Sequence, residues 1–97
     1  MTHPELIPEN TLEKAVQILK AVAHHDRLQI VNILLNGECQ VGELTNTIEI
    51  KQSLMSQHLS ILKFDGVLKS KRDGNKVYYS IANDSIKRIV KSIIAEK

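Results

Sequence analysis

Residues 51–60, KQSLMSQHLS, bring together seven side chains able to exchange hydrogen bonds: Lys51, Gln52, Ser53, Ser56, Gln57, His58 and Ser60. Helical spacing puts Gln52, Ser53, Ser56, Gln57 and Ser60 on one side, and Leu54, Met55, Leu59, Ile61 and Leu62 largely on the other, with His58 near the boundary. A merely solvated face in a chain with 25% charged residues is expected to carry Glu and Lys, yet positions 52–60 hold neither. Serine lowers helix propensity, so three serines and two glutamines in one patch point to a role other than helix stability. Their amides and hydroxyls can donate to and accept from base edges in a major groove. Lys51 adds to this, because a cation at a helix start opposes the macrodipole unless an anion such as a phosphate lies there.

A second polar zone follows. Lys69, Lys71, Arg72 and Lys76 flank Asp73-Gly74, with Asn75 and Tyr78 also able to hydrogen-bond, and Lys63 stands between the two zones. Lysines on edge strands also discourage sheet aggregation, so this zone is ambiguous alone. Charge distribution favours a polyanion: residues 1–50 carry three Lys/Arg against seven Asp/Glu, whereas residues 51–80 carry six against two.

These side chains need a scaffold, and the 97 residues, 42% hydrophobic, suffice for one domain. Pro4 and Pro8 mark residues 1–9 as an arm, leaving 10–97 as the domain. Asn10 and Glu13 resemble a capping box, and Leu12, Ala15, Val16, Leu19 and Val22 predict a first helix over about 11–23. HHDRLQIVNILLNG predicts a second, with Asp26 as N-cap and Gly37 as stop. A short third helix is expected at about 41–48 and a fourth at about 52–64.

The period then changes to two. Asp73-Gly74 predicts a hairpin joining strands at about 67–71 and 76–81, and Asn83 or Asp84 caps a last helix striped with Ile86, Ile89, Val90, Ile93 and Ile94. Four helices, a two-stranded β-hairpin and a fifth helix make an α+β winged helix-turn-helix, with the fourth helix placed for recognition.

The third-helix VGEL, the fourth-helix SLMSQHLSIL with its S-x-x-S-x-H-L spacing, and DGVLKSKRDGNKVYYSI as wing resemble the ArsR/SmtB family of bacterial winged-helix repressors over residues about 10–97. The resemblance implies a homodimer through the first and last helices, bound to an inverted repeat in double-stranded promoter DNA and released by an inducer. Wide apolar faces on the outer helices point to the same dimer. The DNA contacts expected are Lys51, Gln52, Ser53, Ser56, Gln57, His58, Lys63, Lys71, Arg72, Asn75, Lys76 and Tyr78.

The sensing sites of the family do not carry over. Alignment on VGEL puts Gln40 and Gly42 at the two cysteine positions of the family's third-helix motif, and Cys39 sits one residue early. At the last-helix site Asp84 is present, but Ile86 replaces the first histidine and no His follows His58, so Asp84 reads as a helix cap. One cysteine cannot form the pair that senses reactive sulfur within a chain. No metal or cofactor is therefore expected. Cys39 is kept as a candidate redox sensor, and His24 or His25 with Cys39 or Glu38 as a weak ligand set.

No run of 18 apolar residues exists and the N-terminus lacks a secretion-signal pattern, so a cytoplasmic protein without membrane contact is expected. An enzyme is disfavoured, because no glycine loop or carboxylate pair accompanies Cys39 and His58. The competing reading is a winged-helix module for protein contact that does not bind DNA.

Overall fold

The computed structural model describes residues 5–95. Its elements run α1 (Glu9–Val22), α2 (His25–Leu34), β1 (Cys39–Gln40), α3 (Val41–Ile48), α4 (Gln52–Phe64), β2 (Leu68–Asp73), β3 (Lys76–Ile81) and α5 (Asp84–Ile94). Residues 1–4 of the expected arm lie outside the described residues, and residues 5–8 are exposed and without helix.

Five helices match expectation, while the sheet is larger. It is three-stranded and antiparallel in the order β1-β3-β2, so β3 is central and not an edge. β1 pairs Cys39 with Tyr79 and Gln40 with Tyr78, a strand absent from the two-stranded expectation. The hairpin register sets Asp73 opposite Lys76, so its two turn residues are Gly74 and Asn75. Gly74 supplies φ 68°, the positive φ that a two-residue hairpin of this kind needs at its first central position.

Helix starts depart from the expected caps at α1 and α2, and at α5 the structure chooses between the two caps expected. Pro8 precedes α1, with no side chain capping it, so the Asn10–Glu13 box is not formed. His24, not Asp26, caps α2: its Nδ1 accepts from the Asp26 and Arg27 N–H groups at 3.1 and 3.5 Å. At α5 the cap is Asn83, whose Oδ1 accepts from the Ile86 N–H at 3.0 Å, which leaves Asp84 as the first helical residue. α3 is held by Glu43, which accepts from the Gln40 N–H at 2.9 Å. Its last turn closes through Glu49 at φ 62°, the sole positive-φ residue other than glycine among those described, and only Ile50 and Lys51 separate it from α4. That strained residue makes the tight turn between the two helices.

The core is built from Ile30, Val31 and Leu34 of α2, Leu44 of α3, Met55, Leu59 and Leu62 of α4, Val67, Leu68 and Ile81 around the wing, and Ile86 and Val90 of α5. α1 contributes only Ala21 as a fully buried side chain. Ile18 and Val22 pack against the core half-buried, whereas Leu12, Val16 and Leu19 stay exposed, as do Ile89 and Ile93 of α5. The radius of gyration, 15.1 Å, exceeds the roughly 13 Å of a compact 100-residue domain.

Candidate nucleic-acid interface

α4 buries Met55, His58, Leu59 and Leu62, a set spaced i, i+3, i+4, i+7. With that stripe inside, Gln52, Ser53, Ser56, Gln57 and Ser60 are all exposed on the remainder of the helix, and Lys51 is exposed at its N-cap. The Lys51 carbonyl accepts the first helical bond, from the Met55 N–H at 2.9 Å, while its side chain makes no cap. An ammonium thus stands beside uncapped N–H groups, the pairing suited to a phosphate. The flanks of the stripe are less covered than expected: Leu54 and Ile61 remain exposed, and Phe64 is 85% exposed at the helix end.

His58 is the main correction to the expected contact set. It is 5% exposed and turned into the domain, so it is not on the face that meets solvent. Arg27, whose Nε donates to the Ala21 carbonyl at 2.6 Å, points its Nη1 at His58 Nδ1 from 3.4 Å. Arginine can only donate, so Nδ1 accepts and the proton of the neutral ring lies on Nε2. That Nε2 has no hydrogen-bond partner, and the nearest acceptor, Asp26 Oδ2, is 3.7 Å away. His24 packs beside it, with ring centroids 4.8 Å apart and planes at 51°. Burial, then the neighbouring His24 and Arg27, hold the His58 pKa below its ordinary value, the opposing pull of Asp26 being smaller. The signal that could have placed His58 inside is the 55-58-59-62 spacing itself.

The wing presents Lys69, Lys71, Arg72, Asn75 and Lys76 to solvent, with Tyr78 half-buried opposite Gln40 and Lys71. Lys71 is not a free cation, because its Nζ lies 3.5 Å from Glu38 Oε2. Lys63, also exposed, occupies the last turn of α4, where a cation complements the helix dipole without any DNA. Among the expected contacts the structure therefore exposes one uncharged polar helix face and one basic hairpin tip, and removes His58 from the set.

Cys39 is half-buried on β1, and burial, followed by the nearby Glu43 carboxylate, raises its pKa above the ordinary 9.0. A thiol in that state is a poor nucleophile at neutral pH. His24 does not join Cys39 or Glu38; its neighbours are Asp26 and His58. No helix among the described residues is long and apolar enough to cross a membrane.

The chain is similar to known regulators over most of its length. The transcriptional activator HlyU of Vibrio cholerae is 39% identical over 82 residues, covering 84% of this chain and 76% of that protein. Its solved structure superposes with a TM-score of 0.84, covering 91% of this chain and 96% of that one. The transcriptional repressor SmtB of Mycobacterium tuberculosis is 36% identical over 94 residues, covering 97% and 70%. A homodimeric winged helix-turn-helix DNA-binding domain from Mycobacterium bovis, 26% identical, matches 98% of this chain and 88% of its own with a TM-score of 0.83. These relatives favour a DNA-binding transcriptional regulator over a protein-contact module, and none is named as an enzyme. With the profile described as "Bacterial regulatory protein, arsR family" matching residues 24–70, the chain belongs to the ArsR family of winged helix-turn-helix transcriptional regulators.

Proposed function

We propose that this regulator is a cytoplasmic homodimeric repressor that binds an inverted repeat and leaves it when an inducer arrives. The observation that carries the reading is the division of α4: Met55, Leu59 and Leu62 are wholly buried while Gln52, Ser53, Ser56, Gln57 and Ser60 all face outward without a charge among them. Such a face reads base edges, with Gln52 and Gln57 able to present both donor and acceptor. Lys51, Arg72 and Lys76 hold phosphates and so fix register, with Asn75 and Tyr78 adding hydrogen bonds at the wing. Lys71 joins them only by leaving Glu38.

The dimer is supported by Leu12, Val16 and Leu19 of α1 and Ile89 and Ile93 of α5, which one copy leaves exposed; Leu19 is 51% and Ile93 61% exposed. Burying that many large apolar side chains against a second copy offsets a cost that a small single core cannot. A two-fold axis between these helices sets two copies of α4 in successive major grooves, with half-sites roughly 34–36 Å apart. Relatives are named both as activator and as repressor. Repression is proposed because two copies of α4 seated in successive major grooves act most simply by occupying a promoter.

The test is fluorescence anisotropy with duplexes selected by the protein from a random pool. A palindromic consensus bound by two chains, with log Kd rising steeply with log salt at about 0.9 per phosphate neutralised, is the expected result. A flat salt response or an asymmetric site bound by one chain would count against it.

A further inference from the structure

The cluster around His58 has ligands, a neighbour in tension and no role in the contacts assigned above. One ring nitrogen each from His24 and His58 and one carboxylate oxygen of Asp26 lie within 4.8 Å of one another. The cluster is not a surface accident, because His58 is 5% exposed and its Nε2, aimed at Asp26, has no partner. An orphaned buried ring nitrogen costs about 1–3 kcal/mol, so its retention asks for a ligand.

We propose that His24, Asp26 and His58 form a divalent transition-metal site that joins the start of α2 to α4. Two imidazoles and one carboxylate suit Zn(II), Co(II) or Ni(II), with remaining positions taken by water. Ligands at about 2.0–2.1 Å from a tetrahedral ion are about 3.4 Å apart, so the cluster closes by side-chain movements of about 1 Å.

Binding is incompatible with the metal-free hydrogen bonds, which is what makes it a switch. A metal on His58 Nε2 displaces the proton there to Nδ1, where it faces the Arg27 Nη1 donor now 3.4 Å away. His24 meets a similar conflict, since its Nδ1 accepts from the first turn of α2. Binding through Nε2 moves the ring proton onto that acceptor, and binding through Nδ1 occupies it. Arg27 and the first turn of α2 must therefore shift against α4, whose Gln57 directly precedes His58. Resting on the assignment of α4 as the DNA-reading helix, the metal lowers DNA affinity.

Metal binding is measured first, without DNA, on the chelator-stripped full chain. Co(II) is expected to give saturable visible d–d absorption at one equivalent per chain, which Zn(II) abolishes. His24→Asn keeps an N-cap oxygen while removing a ligand, and Asp26→Asn keeps the shape; each is expected to weaken Co(II) binding at least tenfold. His25→Asn, outside the cluster, is expected to bind as the parent does. These positions avoid the core, so failure to fold does not obscure the result. Absence of one-per-chain binding, or binding indifferent to both ligand substitutions, overturns the site. With a selected duplex, Zn(II) is expected to raise the Kd of the parent at least tenfold and leave His24→Asn unchanged. Metal bound with DNA affinity unaltered overturns the switch, whereas a metal-free chain that ignores DNA overturns the α4 reading and leaves the site standing.

Discussion

His58 Nε2 and Asp26 Oδ2 stop 3.7 Å apart, too far for a hydrogen bond. α4 thereby meets α2 through a polar contact left incomplete. The residue before His58, Gln57, is exposed to solvent.

That neighbouring pair should separate in their effects. His58→Ala leaves a cavity under α4 and is expected to lower unfolding free energy by about 2–4 kcal/mol in urea titration. Gln57→Ala should leave stability within about 0.5 kcal/mol but lose about 1–3 kcal/mol of discrimination between a selected duplex and its single-base variants. A Gln57→Ala chain with unchanged base preference and a lowered midpoint would refute the assignment of that face.

Phosphate contacts act differently from base contacts. Arg72→Ala and Lys51→Ala should weaken all duplexes alike and each reduce the slope of log Kd against log salt by about 0.9. Lys71→Ala should change the slope less, because Glu38 already holds its ammonium. Equal slopes for all three variants would show that the Glu38 pair is irrelevant in solution.

The proposed dimer rests on the apolar outer faces of α1 and α5. Leu19→Asp or Ile93→Asp buries a carboxylate in any α1/α5 interface and is expected to convert a dimer to a monomer at micromolar concentration, read by sedimentation equilibrium. DNA affinity should fall with it, because half-sites are then bound one at a time. A variant that remains dimeric would move the interface elsewhere.

Cys39 provides the pH prediction. Its folded pKa is raised above 9.0, so the thiol loses its proton only at higher pH than an unfolded chain's would. Alkylation by iodoacetamide should accordingly climb at higher pH in the native chain than in the unfolded chain. Glu43→Gln removes a negative charge while keeping an acceptor for the Gln40 N–H, and should shift that profile to lower pH. Rapid alkylation of the native chain at pH 7 would restore Cys39 as a sensor.

Element order was legible because it rests on local periodicity. α3 and α4 fall at the expected 41–48 and 52–64, and Asp73-Gly74 announces a hairpin whatever surrounds it. β1 was not legible, since two residues, Cys39 and Gln40, have no period and become a strand only because β3 offers a free edge. The cap of α2 was misread for a related reason. Aspartate is the usual cap, yet His24 takes the place once its ring is packed against His58, 31 residues beyond Arg27 in the chain.

The sequence by itself determined that one helix would carry an uncharged polar face beside a basic hairpin, because composition and spacing along a single helix decide which side chains share a side. Tertiary structure alone decided how wide the buried stripe is. It left Leu54, Ile61 and Phe64 out, and it set His24, Asp26 and His58 within reach of one ion. Those outcomes depend on which element packs on which, a long-range matter of burial and hydrogen-bond satisfaction that no local pattern encodes.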